Sequence, residues 1–395
     1  MLMRSGEILV LAISLLGFSF ALCATPKQLA PAEKLIAFLQ NATASLEAQY
    51  GAHAINSSVW SSDRPLRAQT RKLLWQAIFE NRNLTIGVSG ESHSQGTGAS
   101  KSEFIYVNLV SSWLTQAVRV YGNSSANILF VNQGVSGAST MSAAFCLEAF
   151  FGKKIDILWW EFVTNDYQHF RTFSPASARM ARQDMLSLWA YRAHLQYNTS
   201  LPIGFIFVWD EIRKNNITMF GEMDQSVTAQ SLATRRDVFG LSLAQLLLKS
   251  PISRRSPNAT TTLSSMYSSD TLHMNNLGHR ALADLIIYAY AKIMIDIVTE
   301  SAMMPDVPVY EPSLSWYEGD YASKPWLMNL IYNGLTFCHK TFPKLVLPSH
   351  ISVTCPNCTF SRGYLVPQCP LTLKYVVKYN TSPSPSPDPS PSPDP

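Results

Sequence analysis

The sequence predicts an α/β protein built on a parallel sheet with helices over both faces. Three observations point there. Between residues 84 and 298, short apolar runs alternate with stretches of helical periodicity. The runs have the length and composition of strands buried on both sides, as in sheets formed by strand–helix–strand crossovers. All but the last of the chemically suggestive motifs fall directly after such a run, where sheets of this kind bind ligands.

Each element follows from its own pattern. Residues 28–80 read as helical, because Leu35, Ile36 and Leu39 recur at helical spacing, as do Leu73, Leu74, Ala77 and Ile78. Residues 84–89 form an apolar β-run, and 104–120 an amphipathic helix. Strand 127–131 precedes helix 139–151, and strand 155–162 precedes helix 176–195. Strand 203–209 is followed by a mostly helical stretch over 229–248. Residues 275–298 form a long closing helix.

The composition bounds the rest. With 395 residues, 47% hydrophobic and 15% charged, the chain can bury a substantial core in one or two domains. Its formal charge of +4 is small for this length and no Lys/Arg run is present, which excludes nucleic acid as a partner.

Residues 1–24 read as a secretory signal. Arg4 supplies the positive start, 8–22 the apolar stretch, and small residues near Cys23 and Ala24 a cleavage site. A retained anchor is the rival reading, but the apolar run is shorter than the ~20 residues of a comfortable span. No stable membrane span is therefore expected after cleavage.

Sequons agree with export to an extracellular or cell-wall setting. Asn41, Asn56, Asn123, Asn198, Asn216, Asn258, Asn357 and Asn380 are glycosylation candidates, and Asn83 is a ninth sequon close to a buried strand. Cys338, Cys355, Cys358 and Cys369 cluster near the C-terminus, which in an exported chain reads as two disulfides. A zinc knuckle or redox pair at Cys355 and Cys358 is the weaker alternative. Cys146, in an apolar helical run, reads as a buried free thiol.

The expected organisation is thus a main domain over 25–300 and a disulfide-stapled, loop- or β-rich appendage over 301–380. Residues 381–395 form a Ser/Pro tail of polyproline-II character that cannot build a core.

Four segments carry the chemistry. In Gly90-Glu91-Ser92-His93-Ser94-Gln95-Gly96, Ser92 lies in a glycine-flanked turn after the first strand, where a hydroxyl can be presented with free backbone N–H groups. A serine becomes a useful nucleophile only when a base takes its proton. In Asp270-Thr271-Leu272-His273, the histidine can be that base and the aspartate its orienting carboxylate, with both on one short turn. In Asn132-Gln133-Gly134, the Gly134 N–H is a candidate oxyanion donor. In Thr164-Asn165-Asp166, the Asn165 side-chain amide is another. Taken singly, each has an ordinary reading: a Ser/Gly-rich loop, a helix cap, a turn glycine, an Asn/Asp turn.

Together the four segments resemble the conserved blocks of the SGNH hydrolases, also called GDSL esterases and lipases. The resemblance spans roughly residues 84–297. It implies a flavodoxin-like α/β/α sandwich with Ser92 as nucleophile and Asp270 and His273 completing the triad. The oxyanion would be held by Ser92, Gly134 and Asn165, with no metal and no cofactor. Two departures stand out. The usual Gly-Asp-Ser is here Gly90-Glu91-Ser92, and Val163 replaces the glycine of Gly-x-Asn-Asp. An α/β-hydrolase elbow fits less well, since neither Gly90–Ser94 nor Gly134–Ala138 ends in the required glycine.

The implied activity is that of a secreted serine esterase acting on carboxylic esters. Short acyl groups on an acetylated polysaccharide are the favoured substrate, because Trp159, Trp160, Tyr167 and Trp209 lie near strand ends where aromatic faces could meet sugar rings. Core packing is their ordinary role. An acyltransferase to a glycan hydroxyl, a lipase and an inactive glycan-binding protein on the same scaffold are the alternatives.

Overall fold

A computed structural model describes residues 26–61, 68–152, 154–170, 185–186, 189–190, 192–194, 196–197, 201–208, 238–250 and 265–299. It also describes the backbone of 351–354, 358–361, 364–367 and 372–375. The chain divides into two units, Met1–Asp320 and Tyr321–Pro395.

In the first unit, helices α1 (Pro26–Tyr50), α2 (Ala52–Ser57) and α3 (Ala68–Phe79) precede the sheet, with a short strand β1 (Val59–Ser61) between α2 and α3. Five parallel strands follow: β2 (Leu84–Gly90), β3 (Ile128–Gly134), β4 (Ile157–Glu161), β5 (Ile203–Phe207) and β6 (Val238–Ser242). Their spatial order is β1-β6-β5-β4-β2-β3, with β1 antiparallel at one edge and β3 at the other. The five parallel strands therefore run 2-1-3-4-5, the flavodoxin-like order, whose switch point lies between β2 and β4.

The central strands are buried because they have few polar side chains to expose, whereas the edge strand β3 is buried only at Ile128. In β2, all residues but Thr85 are buried, and β4 and β5 are buried throughout. The elements between strands are a four-residue helix α4 (Ser92–Gln95), helix α5 (Tyr106–Thr115) running into a π-helical turn over Gln116–Tyr121, and α6 (Thr140–Phe151). After β4 comes α7 (Val163–Phe170), after β6 comes α8 (Leu243–Lys249), and α9 (Asn276–Thr299) closes the unit.

Trp159 and Trp160 show the two covered faces. Trp159 donates through Nε1 to Tyr290 of α9 at 3.0 Å, while Trp160 donates to Thr140 of α6 at 2.8 Å. Adjacent residues of a strand point to opposite faces, so α9 and α6 lie on opposite sides. Both indoles are at most 2% exposed. Their expected role as a sugar platform is corrected: they fill the core. The side chains of Tyr167 and Trp209 lie outside the described residues.

α1 is fastened to α9 by polar ties as well as by apolar packing. Tyr50 Oη donates to Asp284 at 2.9 Å, and Arg280 donates to the other oxygen of the same carboxylate at 2.7 Å. Tyr288 Oη donates to Glu47 at 2.6 Å. Burial, with the Asp284 charge adding to it, pushes the Tyr50 phenol far above its ordinary value.

Three further sequence expectations are corrected in the first unit. The helical reading of 28–80 is interrupted by β1. The mostly helical reading of 229–248 misses β6, whose Val238-Phe239-Gly240-Leu241-Ser242 is followed by a genuine helix capped by Ser242. Cys146, expected as a free thiol, is disulfide-bonded, and its partner's side chain is not among those described.

The second unit shows two antiparallel pairs, β7 (Ile351–Thr354) with β10 (Thr372–Tyr375) and β8 (Cys358–Ser361) with β9 (Tyr364–Pro367). The staple expected at Cys338, Cys355, Cys358 and Cys369 lies outside the described side chains, as do the signal segment and the Ser/Pro tail. No helix among the described residues is long and apolar enough to cross a membrane. Of the sequons, Asn41, Asn56, Asn83 and Asn123 are exposed, and the others fall outside the described residues.

Candidate active site

The carboxyl end of β2 turns abruptly at Gly90. A Cβ there would lie 2.0 Å from Ser94 Oγ, so only glycine lets α4 fold back over the strand end. α4 starts at Ser92, and Gly96 ends it in the left-handed conformation at φ 96°. This places Ser92 on the first residue of a single helical turn, 7% exposed.

The candidate base, His273, comes from the other end of the domain. Between Tyr267 and Met274, which form an isolated bridge, the chain makes a tight turn. Asp270 organises it with one oxygen. Its Oδ1 accepts from the Ser268 hydroxyl at 2.6 Å and from the N–H groups of Leu272 and His273 at 3.0 Å each. Its Oδ2 lies 2.5 Å from His273 Nδ1, and His273 Nε2 lies 3.0 Å from Ser92 Oγ. The spacing Asp-x-x-His is thus explained: one carboxylate caps the turn that holds the imidazole and orients the imidazole as well.

Burial alone would raise the Asp270 carboxyl. The His273 ring and backbone N–H, the Ser268 hydroxyl and the Leu272 N–H outweigh it and hold the group well below the usual carboxylate range. An ionised Asp270 accepts the proton of His273 Nδ1, which leaves the Nε2 lone pair facing the Ser92 hydroxyl.

A loop contact keeps the two halves in register. A Cβ at Gly98 would meet Met274 O at 2.3 Å and His273 Cβ at 3.1 Å. Ser100 N–H donates to Asn276 Oδ1 at 2.9 Å, and Asn276 Nδ2 donates back to Ser100 Oγ at 2.8 Å. Beneath, the ring of His279 stacks on Tyr106. Burial pushes His279 down to about 4, with the Thr97 backbone opposing and His273 assisting. It is a neutral core histidine, not a second base.

The turn from β3 to α6 divides its N–H groups in an informative way. Gly134 donates to Asn132 Oδ1 at 3.1 Å, Val135 to Gly90 O at 3.0 Å, and Ser136 to Gln95 Oε1 at 2.9 Å. Ala138 donates to Val135 O at 3.0 Å, and Ser139 to Ser142 Oγ at 2.7 Å. Among the described residues, the Gly137 N–H alone in this turn has no partner. Gly137 is exposed, so its N–H is open to solvent and free to take an incoming acceptor. Gly137 has φ 77°, and a Cβ there would meet nothing within 4 Å.

Gly134 therefore does other work than expected. Its Cβ would lie 2.2 Å from Gln95 N, so it lets the nucleophile turn rest on the end of β3. Asn132 Nδ2 donates to Ser94 O at 2.7 Å and completes this brace.

Asn165 begins the second half of the first turn of α7. Its Nδ2 donates to Ala138 O at 2.8 Å, which sets the amide beside the Gly137 turn and leaves its second N–H for another acceptor. Asp166 ties the same two segments: it accepts from Thr140 N–H at 2.9 Å and from the Thr140 hydroxyl in a short hydrogen bond.

Of the five residues expected at the site, Ser92, Asp270 and His273 form one hydrogen-bonded relay, Asn165 is tied through its backbone to Glu91 beside Ser92, and Gly134 packs against the turn that follows Ser92. Gly137, Ser268, Asn132 and Asn276 were not anticipated. The only sequence signal for Gly137 was its place in the same glycine-containing turn.

No protein-family model and no curated protein matches the chain. Among solved structures it is similar to a two-domain esterase active on acetylated mannans, co-crystallised with mannopentaose. The identity is 17%, with 66% of this chain and 60% of that chain covered and a TM-score of 0.48. An acetyl xylan esterase is similar at 13% identity over 52% of this chain and 99% of that one, with a TM-score of 0.38. A member of the lipolytic G-D-S-L family from Veillonella parvula is similar at 12% identity over 53% and 99%, with a TM-score of 0.37. The chain thus spans 60% of the length of the mannan esterase.

Proposed function

We propose that this chain is a serine esterase of the SGNH type. The observation that carries the reading is the continuous relay Asp270 Oδ2–His273 Nδ1 at 2.5 Å and His273 Nε2–Ser92 Oγ at 3.0 Å. In the proposed reaction the Ser92 oxygen attacks an ester carbonyl carbon as His273 Nε2 takes the hydroxyl proton. The carbonyl oxygen becomes the oxyanion. It is held by the N–H groups of Ser92 and Gly137 and by the second N–H of the Asn165 amide, with Gly137 in the place first given to Gly134. His273 returns the proton to the leaving alcohol. A water, deprotonated by His273, then cleaves the acyl-enzyme and restores Ser92.

Short acyl esters of carbohydrate, in a secreted or wall setting, are the substrate class within this proposal. It rests on the dense sequons and the Ser-Pro tail, since Trp159 and Trp160, two of the aromatics first invoked, are core residues. The test compares kcat/KM for acetyl, butyryl and long-chain esters and measures acetate released from acetylated polysaccharide. The expected result is a preference for acetyl with acetate released. Preference for chains of about ten carbons or more without acetate release would turn the reading to a lipase.

A further inference from the structure

Behind the nucleophile lie two carboxyl groups that the reaction does not use. Glu91 and Glu161 are each 0% exposed. Glu91 precedes Ser92, and Glu161 ends β4. Among the described residues neither forms an ion pair with a cation. Burying two uncompensated carboxylates side by side is prohibitively unfavourable, so the pair must hold a proton.

The geometry divides the two roles. Glu91 Oε1 accepts from Thr164 N–H at 3.0 Å, and Oε2 accepts from Asn165 N–H at 2.7 Å. These are the second and third residues of α7, whose N–H groups have no acceptor inside the helix. Both oxygens of Glu91 thus face donors at the positive end of a helix, the setting of a carboxylate. Glu161 uses only Oε2, which accepts from the Ser94 hydroxyl at 2.8 Å and from the N–H groups of Ser94 and Glu91 at 3.2 and 3.3 Å, while its buried Oε1 has no partner among the described residues. Ser94 Oγ in turn lies 2.6 Å from Tyr106 Oη. With Oε1 facing no donor, an anionic Glu161 would leave half its charge uncompensated, so of the two groups Glu161 is the one that holds the proton. Among the described residues the other charged group acting on Glu91 is Asp166, whose carboxylate is bound to Thr140.

Resting on the esterase reading above, we propose that Glu91 is a positioning residue: its carboxylate clamps the start of α7 and so fixes the Asn165 amide relative to the Ser92 hydroxyl, with Glu161 neutral beneath it. One side chain then joins the nucleophile turn to the third oxyanion donor. Asn165 is held from two sides, by Glu91 at its backbone and by Ala138 O at its amide. A shift of about 1 Å in such a donor can cost on the order of 10² in rate.

The test uses the full chain. In the wild-type protein, the Thr164 and Asn165 amide protons should exchange slowly, although helix-start amides ordinarily have no acceptor. E91Q places an amide N–H against one of these donors. Its kcat should fall by about 10²-fold with KM changed less than about threefold, and exchange at Thr164 or Asn165 should quicken by at least roughly tenfold. E161Q mimics a neutral acid, and its loss of kcat should be at least roughly tenfold smaller than that of E91Q. Unprotected Thr164 and Asn165 amides in the wild type would overturn the clamp, whether or not E91Q folds. So would an E91Q enzyme with near-normal kcat, or E161Q impaired as deeply as E91Q. Failure of the esterase reading is separately visible, as a wild-type protein inert to a fluorophosphonate.

Discussion

Asp270 serves two ends with its two oxygens, one capping a turn and one orienting a base. A single substitution can separate them. In Asp270→Asn, the side-chain oxygen can still accept from the Ser268 hydroxyl and the two backbone N–H groups. The other position becomes an NH₂ facing His273 Nδ1, which favours the wrong imidazole tautomer. We expect kcat for ester hydrolysis to fall by about 10⁴-fold while the melting temperature changes little. Steady-state kinetics beside thermal unfolding checks this, and an unimpaired enzyme would remove His273 from the role of base. At this scale the sequence was legible where chemistry restricts residue type. A hydroxyl, an imidazole, a carboxylate and an amide can be found in a string of letters. A backbone donor cannot, because Gly134 and Gly137 differ only in which N–H the fold has already paired. Cys146 was misread for a similar reason, since its disulfide is a fact of tertiary placement.

The elements hold the buried acids in place, and their titration should appear in stability. Burial raises both carboxyls, and the Asn165 and Thr164 N–H groups pull Glu91 back down, so the proton the pair keeps lies on Glu161. Burial and the neighbouring Glu91 hold Glu161 well above the carboxylate range. In this window the folded chain binds more protons than the unfolded chain, so stability declines as pH rises. The contribution of Glu161 is fully present below about 4.5 and is lost as pH rises through its raised folded value. His279 works in the opposite sense: lowered to about 4, its contribution is present above about 6.5 and lost as pH falls through about 4. We expect a melting temperature that is highest in mildly acidic solution and declines toward pH 8 and beyond. The alkaline decline should be shallower in Glu161→Gln, and an equal slope in both proteins would contradict the assignment. Elements were legible where length or a bounded apolar run set them apart, as in the 24-residue α9 and in β4. They were missed where the strand was short and ran directly into a helix. β6 gives way at Ser242 to Leu243–Lys249, and a five-residue apolar run joined to a helix has no period of its own.

Over the whole molecule, the parallel order 2-1-3-4-5 brings segments separated by up to 181 residues to one strand end. The relation of each motif to a preceding strand made that convergence readable for Ser92 and Asn165. The pairing of β1 with β6 was not readable, because it joins residues 59–61 to 239–241 with no local signal. The central claim is that this convergence activates Ser92. Intact-protein and peptide mass spectrometry after treatment with a fluorophosphonate tests it most directly. The account predicts one adduct per chain, located on Ser92, absent from a folded Ser92→Ala protein and blocked by prior acylation with an ester substrate. A folded wild-type chain that takes no label, or takes it at another residue and still does so in Ser92→Ala, would contradict it.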